Sequence, residues 1–219
     1  MKTRIAAVLI LLSIAAASAV AQADKNVILR PPKGHRVAIL VFEDLQCPQC
    51  SSVEPLLSAA AKTYGIPLIR HDFPLPQHNW SFEAHVTARY FDAKSPELGE
   101  KFRHWILQNQ RSIIKSNLRQ MEERFAAENK AALPMIVDPS GDLTRKVNAD
   151  ADIGKAISIQ HTPTIYIVGD LQRSVPYIEV TDNNQLFLTI DQMKKQVELE
   201  APAVKAPVKK KTTTAAKQG

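Results

Sequence analysis

The sequence predicts an α/β fold: a mixed β-sheet flanked by helices, with an all-helical insertion between a β-α-β half and a C-terminal hairpin half. Three observations predict it. Val37 to Phe42 is continuously apolar, Val53, Leu56, Leu57, Ala60 and Tyr64 then recur at helical spacing, and Ile66 to Phe73 returns to strand character. Two strands joined through a helix run parallel. Phe82 to Ala132 keeps a helical period throughout and contains no strand signal. Thr164 to Val168 and Tyr177 to Val180 read as strands of a hairpin, with Gly169 and Asp170 as a turn between them.

Taken in order, Asn26 to Leu29 reads as a short edge strand ended by Pro31, Pro32 and Gly34. Val37 to Phe42 has the composition of a strand buried on both faces, hence central in its sheet. The helix that follows begins at Cys47. Pro55 should kink it about one turn after Cys50, leaving the Ser51 carbonyl without its usual partner. Gly65 ends it. The insertion resolves into helices over Phe82–Lys94, Pro96–Gln110 and Asn117–Leu133, and Ser95 before Pro96 is a sound helix start. A further helix is predicted over Leu143–Ile159, with a break near Asn148 or Gly154. Asp191 is predicted to cap a last helix running to about Val197.

The two ends read differently from this domain. Lys2 and Arg4 precede an apolar run, Ile5 to Ala17, and then Ala21-Gln22-Ala23. That is the pattern of a secretory signal over residues 1–23, with an uncleaved anchor disfavoured because the run is short for a membrane span. Residues 201–219 are rich in Ala, Pro, Lys and Thr, and read as a disordered basic tail. Between them, residues 24–200 form the domain, with the helical insertion at about 79–150. The chain carries 28 Lys+Arg against 22 Asp+Glu, a net charge of +6. Seven of those basic residues and none of the acids lie in the two ends, so the domain itself has a net charge of −1. That excludes a nucleic-acid-binding domain. A domain of this size buries a full core as one unit, and a monomer is expected.

Only two cysteines occur, in Cys47-Pro48-Gln49-Cys50. On a helix this spacing brings their Cα atoms to roughly 5–6 Å, within reach of a disulfide. A thiol at a helix N-terminus meets unpaired N–H groups and the positive end of the dipole, and both favour the reactive thiolate. Pro48 fits the first turn, which needs no N–H from it. Export would place the pair where disulfides form and persist. The bland alternatives fit less well. Structural zinc wants four ligands and there is no second pair of cysteines. A c-type haem wants His after the second cysteine, where Ser51 stands. A purely structural disulfide here would close a very short loop and constrain little. No cofactor or metal is called for.

His71, His78 and His85 recur at equal spacing but span a strand, a loop and a helix start, so they read as separate polar or core histidines. Glu43 and Asp44 point apart at a strand end and read as solvated or capping residues. Tyr90, Phe91, Phe102, Trp105 and Phe125 read as the core of the insertion.

With these residues in place, the chain resembles the DsbA-like thiol–disulfide oxidoreductases, which carry a helical insertion in a thioredoxin fold. The resemblance rests on Phe42-Glu43-Asp44-Leu45-Gln46-Cys47-Pro48-Gln49-Cys50, Asp72-Phe73-Pro74-Leu75-Pro76-Gln77-His78 and His161-Thr162-Pro163-Thr164. It spans nearly all of residues 26–197. It implies that Cys47 is the exposed nucleophile and Cys50 its buried partner. Thr162-Pro163 would form a cis-proline loop facing the sulfurs and pairing its backbone with an extended substrate, beside Pro48, Gln49 and His161. Three departures stand out. Gln49 occupies the place of a histidine in DsbA, His161 that of a glycine in many relatives, and Val41 that of a buried acid.

The resemblance implies an enzyme of the bacterial periplasm or another extracytoplasmic space. It would be a dithiol oxidase acting on reduced, unfolded exported proteins and re-oxidised by a membrane quinone-linked oxidase of the DsbB or vitamin K epoxide reductase kind. The alternatives are an isomerase or reductase kept reduced, or a non-catalytic metal- or thiol-binding protein on the same scaffold. Isomerases of the superfamily tend to carry an added dimerisation domain, and the sequence before Asn26 offers no room for one.

Overall fold

The computed structural model describes residues 25–200; the signal and tail expectations fall outside them. Four strands form one sheet in the order β2-β1-β3-β4: β1 (Val37–Glu43), β2 (Leu68–Asp72), β3 (Thr164–Gly169) and β4 (Tyr177–Glu179). β1 pairs parallel with β2 and antiparallel with β3, and β3 pairs antiparallel with β4. The helices are α1 (Pro48–Tyr64), α2 (Ser81–Asp92), α3 (Pro96–Asn109), α4 (Leu118–Glu128), α5 (Asp142–Ala156) and α6 (Leu186–Glu200). This is the predicted mixed sheet with its helical insertion.

Alternation along β1 builds the two sides of the sheet. Val37, Ile39 and Val41 face one core with Val53 and Leu57 of α1 and Ile190 and Met193 of α6. Ala38, Leu40 and Phe42 face the other, with Phe73, Ile157 and Tyr166. Every residue of β1 is buried, which is why its sequence shows no polar alternation. A third core belongs to the insertion. Phe91, Phe102 and Phe125 meet with ring centroids 5.0–5.1 Å apart, as their helical spacing predicted. Leu45, Cys47 and Cys50 pack into that same cluster, so the insertion is what shields the start of α1.

Several local expectations hold. Gly65 caps α1 at φ 61°, and the next amide, of Ile66, bonds the Ala61 carbonyl at 3.1 Å. The Ser95 hydroxyl accepts from the Leu98 amide at 3.1 Å.

Others are corrected. Residues 25–28 are helical, not an edge strand. The Leu29 amide bonds Lys25 O at 2.8 Å and Arg30 Nε reaches Asn26 O at 2.7 Å, so one turn satisfies the backbone and buries Leu29 without any strand partner. Asp191 does not cap the last helix, which already begins at Leu186. Asp182 caps the 3-10 turn Asn183–Gln185 that leads into it, accepting from the Asn184 amide at 3.0 Å, and Asp191 instead accepts from the Tyr64 hydroxyl at 2.8 Å.

α5 is unbroken through Asn148 and Gly154. Gly154 is there for space: a Cβ on it would lie 2.5 Å from the Phe73 ring and 3.2 Å from Phe42. Gly154→Val should therefore destabilise the protein by ~1–3 kcal/mol through overpacking, despite valine's ordinary tolerance in helices. Urea denaturation checks this, and a variant as stable as the parent would mean that α5 does not press on the sheet here.

Candidate functional site

The site lies where β1 hands the chain to α1. Cys47 is the N-cap, extended at φ −77° and ψ 121°, and Pro48 opens the helix. The connecting turn is tied from several sides. The Cys47 amide bonds Asp44 O at 3.0 Å. Asp44 Oδ1 accepts from the Gln46 amide at 2.7 Å, while its Oδ2 accepts from the Leu75 amide at 2.6 Å and lies 2.8 Å from His78 Nδ1. Gln110 donates from Nε2 to both Leu45 O (2.9 Å) and Cys47 O (3.1 Å). Gln46 Oε1 accepts from the Trp80 amide at 2.9 Å. The turn that presents the first cysteine is thus clamped by the loop after β2, through Leu75 and His78, and by Trp80 and Gln110 of the insertion.

Both cysteines are free thiols and both are buried, Cys47 at 3% and Cys50 at 2% exposure. The expectation of an exposed Cys47 is corrected. The loop at Thr162 covers it, and the Cys47 thiol donates to the Thr162 carbonyl at 3.2 Å. The Thr162–Pro163 peptide is cis. Thr162, Pro163 and His161 line a cleft of about 290 Å³ with Gln49 on its opposite rim. Pro48 and Gln49 are exposed at the surface, as is His161. On the far side of the helix start a second hollow is lined by Pro48, Ser51, Leu107 and Gln110.

The two sulfurs differ in acidity. The Cys50 thiol donates to Cys47 and is the largest influence, lowering the Cys47 pKa; burial opposes it, and the Thr162 hydroxyl and the amides of Cys50 and Gln49 assist. The result is about 5. The Thr162 hydroxyl oxygen is buried and has no hydrogen-bond partner, so its proton is available to turn to the thiolate. Cys50 moves the other way, pushed up by burial first and then by the adjacent Cys47 sulfur, with the charge of Glu43 adding to the rise. One sulfur is a thiolate at neutral pH and the other stays a thiol. That arrangement can exchange disulfides.

Glu43 and Asp44 are not solvated, being 2% and 0% exposed. Asp44 does cap the turn. Glu43 bonds Arg70 at 2.7 Å, and Arg70 also reaches Glu54 and Glu100 at 2.9 Å. Val41, fully buried, faces the α1 side of the sheet, where its apolar neighbours accept it. Glu43 follows on the same face of the strand, and its charge is felt at Cys50.

Each of the spaced histidines pairs with a different carboxylate: His71 with Asp150, His78 with Asp44 and His85 with Asp72. Buried His85 also accepts from the Leu45 amide at 3.3 Å. Among the described residues no group of His, Cys, Asp and Glu is placed to hold a metal ion. Gln110 and Gln46 escape a reading of the sequence, because a glutamine at a helix end or in a turn looks solvated. Only the fold shows the carbonyl and amide they meet.

A family model described as thioredoxin matches residues 34–207. No curated protein matches the chain by sequence. Solved structures do match in fold. Alpha-DsbA1 of Wolbachia pipientis superposes with a TM-score of 0.65 at 16% identity, over 80% of this chain and 98% of that one. Alpha-DsbA2 of the same organism, described as a thiol-disulfide exchange protein, gives 0.60 at 15%, over 81% and 97%. The catalytic domain of Proteus mirabilis ScsC gives 0.61 at 17%, over 81% and 97%.

Proposed function

The chain belongs to the thioredoxin family, and from that premise we propose that it is a thiol–disulfide oxidoreductase working outside the cytoplasm as a dithiol oxidase. The observation that carries this reading is the split between its two thiols: Cys47 lowered to about 5 and Cys50 raised.

In the oxidised enzyme, a substrate thiolate attacks the Cys47 sulfur and Cys50 leaves, taking up a proton to become the thiol its buried setting favours. Cys47 is then joined to substrate in a mixed disulfide. A second substrate thiolate attacks the substrate sulfur, and Cys47 leaves as a thiolate. The substrate has lost two electrons and gained a disulfide, and the pair Cys47 and Cys50 is reduced. A low leaving-group pKa speeds the second step and stabilises the reduced enzyme. Substrate backbone would lie along the cleft between Gln49 and the His161-Thr162-Pro163 loop. Re-oxidation would fall to a membrane quinone-linked oxidase of the DsbB or vitamin K epoxide reductase kind, with reduced exported proteins as substrates. The signal-like residues 1–23 support the compartment, and no helix among the described residues is long and apolar enough to cross a membrane.

Equilibration with glutathione tests the direction. A potential near ~−120 mV supports the oxidase, and one near ~−270 mV would make the protein a reductase. The roles of the sulfurs are tested separately. Cys50→Ala should accumulate mixed disulfides with envelope proteins on non-reducing gels, and Cys47→Ala should not. Trapping by the Cys47 variant alone would reverse the assignment.

A further inference from the structure

We propose that the helical insertion holds a second site, a cavity between α2 and α4 that takes a small amphipathic amine with its ammonium group on Glu122. The cavity measures about 480 Å³, the size of a small-ligand pocket, and none of its lining residues belongs to the cysteine cleft. Phe82, Val86, Leu118 and Val137 give it apolar walls.

Its charged groups are already matched, with one exception. Lys115 pairs with Glu83, and Arg119 bonds Glu123 at 2.7 Å and the Pro134 carbonyl at 2.9 Å. Glu122 lines the same cavity, is 4% exposed, and its Oε1 has no hydrogen-bond partner. A buried carboxylate oxygen without a partner is costly, and the nearest cation, Arg119, is engaged by Glu123 and the Pro134 carbonyl. An ammonium at the end of an apolar body would satisfy both the carboxylate and the walls.

The setting of Glu122 gives this a pH signature. Burial pushes its carboxyl up to about 7, Glu83 on α2 and Glu123 on its own helix add to that, and Thr87 and Arg119 oppose it. Lys115 is engaged by Glu83, and Val137, from the segment leading into α5, and Thr144, in the first turn of α5, bring no charge. Glu122 is therefore an anion at pH 8 and mostly neutral at pH 6.

The test titrates the full protein with phenethylamine, and with 2-phenylethanol as its uncharged counterpart, by calorimetry and amide chemical-shift mapping. The amine should bind in preference to the alcohol at pH 8, shift residues of α2 and α4, and lose about tenfold in affinity at pH 6. Glu122→Gln should remove the preference for the amine while insulin reduction by Cys47 and Cys50 is unchanged. Val86→Trp, which fills the cavity and leaves Glu122 in place, should abolish binding of both probes. Equal binding of amine and alcohol, binding indifferent to Glu122→Gln, or no binding at millimolar concentration would each overturn the proposal.

Discussion

Replacing Arg70 by leucine is expected to destabilise the protein by ~3–5 kcal/mol at pH 7, because a buried ion network loses the cation at its centre. The Arg70 side chain is 3% exposed, and the carboxylates of Glu43 and Glu54 that it joins are 2% and 3% exposed. Only Glu100, at 49%, could turn to water. Glu43 already sits above the ordinary carboxylate range, since burial outweighs the attraction of Arg70. Without Arg70 it must rise further or stay charged with only the more distant Arg103, at 3.9 Å, beside it. A carboxyl whose pKa is raised by folding opposes folding once the pH passes its unfolded value, so the loss should be largest at neutral pH and shrink toward pH 4. Adding Glu43→Gln and Glu54→Gln should restore part of the stability at pH 7. Urea denaturation of the parent, the single variant and the triple variant at both pH values measures this. A loss below ~1 kcal/mol at pH 7 would mean that water screens the network as it does a surface pair.

How much of this was legible beforehand depends on the kind of signal. β1 could be read because a strand buried on both faces leaves a continuous apolar run, and Val37 to Phe42 is one. The insertion could be read because its aromatics repeat at helical spacing and do meet. The cysteine pair was legible because spacing and helix geometry suffice to join two thiols. What failed was whatever depended on partners distant in sequence. Asp44 could be read as a capping residue and is one, but Glu43 looks like a solvated strand-end residue until Arg70 appears beside it. Cys47 looks exposed until Thr162 lies over it, 115 residues away in the chain. Gly154 looks like a helix breaker until Phe73 is seen to need its space. Asp191 offered a plausible cap, but the apolar residues Leu186 and Ile190 already belonged to the helix and packed inward.

Reduced protein should gain stability over oxidised protein as the pH rises from about 5. The Cys47 pKa is lowered by folding to about 5, against ~8.5 in an unfolded chain. A group depressed in this way contributes fully above its unfolded pKa and loses that contribution as the pH falls through its folded value. The disulfide form has no thiol to ionise, so the contribution appears in one form only. Each pH unit between the two values is worth ~1.4 kcal/mol, and partial solvent access through the cleft trims the total to ~2 kcal/mol at pH 7. Closing the short disulfide loop adds a chain-entropy effect of its own, but one that does not change with pH. The slope is therefore the clean observable. By linkage the same ~2 kcal/mol makes the disulfide more oxidising by ~40 mV than an unperturbed pair. Urea denaturation of both forms at pH 4.5, 6 and 7.5 reads the slope, and iodoacetamide alkylation of the Cys50→Ala protein reads the thiolate directly. Replacing Thr162 by valine removes one donor to the thiolate and should flatten the slope. A difference that stays constant from pH 5 to pH 8 would show that Cys47 is not held as a thiolate in the folded protein, and would take away the leaving-group advantage on which the oxidase reading depends.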